Sequence, residues 1–261
     1  MINAISGAVA DIRKGLGMSG VWVALAHEDV GDAHRRTLLG PAWLLINYLL
    51  FAGTFVVIFD DGRTPGFPAY VAVGLLVWLF ISDGVSQGIV LFQREQSFIQ
   101  GTVLPLSIYI LRMTMQLVIR AGYALAGCAM ILLFFHVMPS VGWLWSILGV
   151  MIVLVMMPGL MIICAVAGTV FPDLQFIVGN LIRLGVFLTP VFWVPATAVG
   201  LHKIFYHWNP FTYFLEVVRI PIMYGIFPER AFVIAIAATA VTWLTALMLL
   251  GIYRKKIVFL L

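Results

Sequence analysis

The sequence predicts an all-α integral membrane protein. It has six transmembrane helices, an N-terminal cytoplasmic amphipathic helix, and two short re-entrant outer helices between spans five and six. Three observations carry that prediction. Of the 261 residues, 63% are hydrophobic and only 10% are charged, with a mean hydropathy of +1.09, whereas a soluble domain carries about 25% charged residues. The apolar runs reach the ~20 residues that a helix needs to cross a bilayer, while spanning strands would alternate over about ten. Positive charge gathers at both ends, as Arg13, Lys14, Arg35 and Arg36 before the first run and Arg254, Lys255 and Lys256 after the last. Basic flanks stay in the cytoplasm, so both termini are expected there and the number of crossings must be even.

Residues 1–37 are read as the cytoplasmic segment and 38–261 as the transmembrane domain. No secretory signal peptide is expected, because the first 37 residues are polar or mixed. Within them, Trp22, Ala26, Val30 and Ala33 recur at helical spacing, while Glu28, Asp29, Asp32 and Arg35 fall mostly on other faces. That pattern predicts a helix lying at the inner interface over residues 20–37. Spans follow at roughly 38–59, 67–92, 103–136, 141–170, 174–199 and 231–253. "DDGRTPG" (60–66) and "HVMPSVG" (136–142) are short, turn-rich outer connections, and "QREQSFIQG" (93–101) and "FPDLQ" (171–175) are inner ones. Residues 201–228 are apolar enough to enter a bilayer. Pro210 and Pro221 each remove an N–H, and the even count leaves room only for an element that enters from outside and returns there.

Several chemistries lack their residues. Cys128 and Cys164 both sit in apolar runs and form no CxxC. "GVSQG" (84–88) matches a nucleophile elbow, but it lies in a helical run with none of His27, His34, His136, His202 or His207 at its depth. Its glycines suit close helix packing instead. The histidines are scattered and no metal site is expected. The net charge of +4 is topological, concentrated in the flanks, and gives no nucleic-acid surface. A phosphate-cradling GxxxxGK[ST] loop is absent, so any ATP is used on another polypeptide.

Charges inside the spans cost roughly 2.5–3.5 kcal/mol each at a helix centre and normally face the protein interior or a wet path. Arg112, Gln116 and Arg120 are spaced by four and share one face of span three. Arg112 lies about 10 Å and Arg120 about 22 Å along that helix. Arg183 in span five and Asp83 in span two are expected in the same inner half. Three arginines against one aspartate predict a positive inner conduit, since Asp83 can neutralise only one of them. Arginine's planar fork suits a phosphate group. At the outer end, aromatic residues including Trp193, Tyr206, Trp208 and Tyr213 fit interfacial anchoring and offer stacking faces for sugar rings.

"LGPAW" (39–43), "FPDLQFI" (171–177), "TPVFWVP" (189–195) and "NPFTYFLEVVR" (209–219) occur in this order and spacing. In that arrangement the chain resembles the membrane subunit of ABC-2-type exporters over about residues 20–256. It is most similar to the permeases that export lipid-linked O-antigen, capsule and teichoic-acid polysaccharides. The resemblance implies a six-span fold with re-entrant outer helices and a multi-pass protein of the bacterial inner membrane. It also implies a homodimer served by two copies of an ATP-binding cassette subunit. ATP and magnesium would be held by that partner, and no cofactor is expected on this chain. The resemblance further implies that the inner connection 93–101 meets the ATPase. Arg94, Glu95 and Gln96 would bond its surface, while Phe98 and Ile99 would enter its cleft. A lipid-linked glycan with a pyrophosphate would match the arginines. A drug or small-lipid exporter, a membrane-embedded enzyme acting on lipid-linked sugars and a passive channel are the alternative readings.

Overall fold

A computed structural model describes residues 2–60, 62, 65–195 and 200–261, with the side chains of 2–4 and 201–202 outside that description. Asp61, Arg63 and Thr64 of the first outer connection, residues 196–199 assigned to span five, and the His202 side chain therefore lie outside the described residues. Every regular element among the described residues is helical. In chain order these are α1 (Ile2–Gly17), α2 (Ser19–His34), α3 (Ala42–Phe59), α4 (Phe67–Ile89), α5 (Leu91–Arg94), α6 (Gln96–Gly101) and α7 (Leu106–Phe134). They continue with α8 (Trp143–Val170), α9 (Leu174–Leu188), α10 (Leu201–Trp208), α11 (Pro210–Tyr224), α12 (Glu229–Tyr253) and α13 (Ile257–Leu260).

Five of these helices, α3, α4, α7, α8 and α12, are long and apolar enough to cross a membrane. The fifth expected span is shorter than its sequence range, because α9 stops at Leu188 after 15 residues. That is about 22 Å of helix against a hydrocarbon core of ~30 Å. Thr189, Pro190 and Val191 follow in non-helical conformation. The N-terminal segment also departs from expectation, forming two helices where one was read. The face of α1 that carries Ala8 and Gly15 is buried, with Ile12 packed on the core.

Both termini meet at one end of the bundle. The Arg254 guanidinium at the end of α12 donates to the Gly7 carbonyl of α1 at 2.6 Å, and Gln96 of α6 donates to the carbonyl of Leu261. At the same end Ser107, opening α7, donates from its backbone N–H to Asp11 Oδ1 at 3.0 Å and from its hydroxyl to the Asp11 carbonyl at 2.8 Å. α1 and α2 thus form a collar around the first turns of α7. The 29 residues of α7 measure about 43 Å, so its surplus length is accommodated within that collar.

α4 is the central post. Of its span window 72% is buried, against 11% for α3. Glycines let α8 close on both α4 and α11, as small residues do where helices pack within lipid. A Cβ at Gly168 would collide with the Ile89 carbonyl at the end of α4, and one at Gly149 would collide with the Val217 carbonyl of α11. Pro221 does not end α11 but sits inside its last turns. Lacking an N–H, it frees the Val217 carbonyl that faces Gly149. Ser146 of α8 donates to the neighbouring Val218 carbonyl at 2.7 Å.

The break after α9 is held by side chains. Tyr70 of α4 donates its hydroxyl to the carbonyls of Pro190 at 3.3 Å and Trp193 at 3.1 Å. Arg219 of α11, only 3% exposed, donates to the Pro190 carbonyl at 2.7 Å and lies over the Tyr70 ring at 3.9 Å. Asn209 caps α11 by accepting from Phe211 N and donates to Thr189 Oγ1 at 2.8 Å. Buried non-helical backbone needs such partners, because its polar groups are cut off from water.

Gly168→Ala should lower the thermal midpoint in detergent, at a cost of about 1–3 kcal/mol for overpacking. Gly179→Ala, where a Cβ meets nothing within 4 Å, should leave it unchanged; equal midpoints for the two variants would refute the close α4–α8 seam.

Candidate functional site

The residues expected to form a positive conduit belong instead to a closed circuit of alternating charge. Arg112 of α7 forks onto Asp29 of α2, Nε to Oδ2 at 2.6 Å and Nη2 to Oδ1 at 2.7 Å. Its Nη1 reaches Glu95 Oε2 at 3.3 Å. Glu95 is also 3.8 Å from Arg94 Nε. Arg94 donates to Gln87 Oε1 at 2.9 Å, and Gln87 donates to Asp83 Oδ1 at 3.4 Å. Asp83 accepts from Arg120 Nη1 at 3.0 Å, and Arg120 Nη2 meets Gln116 Oε1 at 3.4 Å. Gln116 closes the circuit by donating to Asp29. Helices α2, α4 and α7 and the short connection after α4 are tied together by these eight side chains.

The structure thus corrects the charge balance. Arg94, Arg112 and Arg120 face Asp29, Asp83 and Glu95, three against three. Asp29 was read on the polar face of an interfacial helix, but α2 turns it into the bundle. Arg120 is not an unpaired deep charge. Asp83, its partner, lies six residues from the end of α4, about 9 Å along the axis. Arg183 does not join the group; it is exposed on α9 and makes no ion pair among the described residues.

The inner connection also divides differently. Glu95 is buried within the circuit and Ile99 is 5% exposed, so neither faces outward. Gln96 is spent on the C-terminal carbonyl. What projects is Phe98 at 59% exposure, together with Val103 and Leu104 just beyond α6, beside the half-exposed Arg94. Val103 and Leu104 were assigned to span three on hydropathy; the turn ahead of Pro105 leaves them outside the helix.

The circuit borders an open cleft of about 740 Å³ between α3, α4 and α7. Asp83 and Arg120 form part of its wall, with Asn47 and Ser86 nearby. At the far end the four aromatic residues do not share one surface. Tyr213 is buried and donates to the His207 carbonyl at 2.9 Å. Tyr206 donates to Glu216, and half-buried Trp193 donates to the Phe187 carbonyl at 3.0 Å. Trp208 alone of the four is largely open, at 83% exposure.

Removing one partner of a partly buried ion pair strands the other. Asp29→Asn and Arg112→Gln should each destabilise the protein, and the double variant should cost less than their sum, with a coupling of about 0.5–3 kcal/mol. Thermal denaturation of the four proteins measures this; strict additivity would show that the fork contributes nothing.

Comparison with known proteins agrees with this architecture. Residues 22–223, from α2 through most of α11, match the ABC-2 type transporter family. The chain is 28% identical over 193 residues to the O-antigen export system permease protein RfbA of Myxococcus xanthus, covering 68% of this chain and 70% of that protein. It is 25% identical over 173 residues to each of two O-antigen export system permease proteins RfbA of Klebsiella pneumoniae, covering 65% of this chain and 67% of theirs. A match over most of a multi-span helical bundle places its role in transport rather than in enzyme catalysis: the chain belongs to the ABC-2 type transporter family.

Proposed function

We propose that the protein is the permease subunit of an ABC exporter that moves a lipid-linked polysaccharide of the O-antigen, capsule or teichoic-acid type outward across a bacterial inner membrane. Family membership implies a partner ATPase subunit. In this reading two copies of the permease assemble with two of that ATPase, which holds the ATP and magnesium. The observation that carries the polysaccharide assignment is the likeness to permeases of O-antigen export over two thirds of their length.

The topology in this reading has six crossings. α9 makes one of them, its missing length supplied by the non-helical residues after Leu188. α10 and α11 form the re-entrant pair. Support comes from the ends of α11: Asn209 bonds Thr189 at the break, while Gly225 packs against Gly142 ahead of α8. Both termini then lie in the cytoplasm, consistent with their meeting at one end of the bundle. A cysteine at Lys255 should resist an impermeant thiol reagent in intact cells, and one at Ser140 should react. Equal reaction at both positions would overturn the topology.

The ATPase docks on the projecting face of the inner connection, where Phe98, Val103 and Leu104 offer apolar contact and Arg94 offers charge. Arg94 links this face through Gln87 to the Asp83–Arg120 pair at the cleft. Movement of the connection during ATP hydrolysis is thereby transmitted to the cleft wall. Phe98→Ala with Val103→Ser should sharply reduce co-purification of the ATPase while the permease remains folded in the membrane. Cells lacking the permease should accumulate a lipid-linked glycan on the cytoplasmic side. Absence of both a co-purifying ATPase and an accumulated glycan would exclude the exporter.

A further inference from the structure

The cleft between α3, α4 and α7 has a size typical of ligand sites, about 740 Å³ against ~300–1,000 Å³. Its chemistry is specific in three respects. The charges on its wall cancel, because Arg120 donates to Asp83 at 3.0 Å. Two polar side chains from different helices are unspent: Asn47 of α3 and Ser86 of α4 line the cleft, are exposed, and make no side-chain hydrogen bond among the described residues. The other lining hydroxyls are satisfied, Thr54 on the Leu50 carbonyl, Ser82 on the Leu79 carbonyl and Tyr48 on the Ala72 carbonyl of α4. Finally, Phe51, 41% exposed, supplies an aromatic ring to the same wall.

These features select among occupants. Lipid chains would leave the Asn47 amide and the ion pair facing hydrocarbon, where polar groups find no partner. A phosphate would be drawn to Arg120 but would meet the Asp83 carboxylate already bonded to it, and among the described residues no second cation lines the cleft. A neutral polyhydroxylated ring meets neither obstacle. Its hydroxyls can donate to Asp83 and the Asn47 carbonyl oxygen and accept from the Asn47 amide, Ser86 and Arg120. Its C–H face can lie on Phe51.

We propose that this cleft is a saccharide subsite, with Asn47, Asp83, Ser86 and Arg120 as its hydrogen-bonding set. The proposal rests on the polysaccharide reading above and assigns sugar, rather than the lipid phosphate, to the Asp83–Arg120 pair. Because that pair also belongs to the ionic circuit, an occupied cleft bears directly on Gln87 and Arg94.

The test uses Ser86→Cys in the complete reconstituted transporter. Cys128 and Cys164 are buried, so a water-soluble maleimide reports on position 86. Polyprenyl diphosphate bearing a disaccharide should slow labelling severalfold, while bare polyprenyl diphosphate should not. Adding Asn47→Ala should leave the rate without ligand unchanged and weaken protection by about three- to tenfold, the value of one hydrogen bond. Equal protection by both lipids would make the cleft a headgroup or lipid site and overturn the proposal. No protection by either would remove the cleft from the sugar path. Glycan accumulation in permease-deficient cells combined with an unprotected thiol at position 86 would sink the subsite alone and leave the exporter standing.

Discussion

The guanidinium–carboxylate fork between Arg112 and Asp29 sets the register of everything at the termini end. It joins α2, an element outside the span count, to α7, the longest helix. Charge inside an apolar bundle is tolerated only when it is paired and its remaining hydrogen-bonding capacity is used. Once Arg112 is committed to α2, its remaining N–H fixes Glu95, Glu95 lies against Arg94, and the chain of partners runs on to Asp83 and Arg120. Three arginines and three carboxylates thereby close a loop with no net charge. The connection after α4 and the wall of the cleft are parts of one polar network, not neighbours by accident of topology.

Hydropathy made much of the helical architecture legible. The cores of α3, α4, α7, α8 and α12 lie within the expected spans. The spacing of Arg112, Gln116 and Arg120 correctly placed them on one face, because helical periodicity is a local property. Their partners were not legible by the same means. Asp29 is 83 residues away from Arg112, on a helix whose weak amphipathicity made every acid look solvent-facing. Glu95 looked outward because a short polar connection gives no periodicity from which to assign a face. α1 was missed, although Ile5, Ala8, Ile12 and Gly15 follow a helical stripe; Asp11, Arg13 and Lys14 masked it. Pro221 removes an N–H, but near a helix end that costs one bond, which packing against Gly149 tolerates.

The two ends of the bundle solve the problem of buried polarity differently. At the termini end, charge meets charge and the solution is spread over eight side chains. At the far end, Arg219 has no carboxylate within ion-pair distance among the described residues. It is spent on a backbone carbonyl and a tyrosine ring, with Nε and Nη2 unpartnered. The first arrangement can pass a displacement along a series of bonds. The second is local, and fixes a single break in α9 relative to α4 and α11.

That far-end clamp also bears on how the chain is made. Tyr70 is synthesised long before Pro190, but Arg219 follows it by 29 residues. When α9 emerges it is short for a bilayer, and the carbonyl beyond it has only one of its two donors. The second donor is in place only when α11 has been made and packs against α4 and α8. The break beyond α9 thus takes its second donor from a residue that the ribosome delivers late.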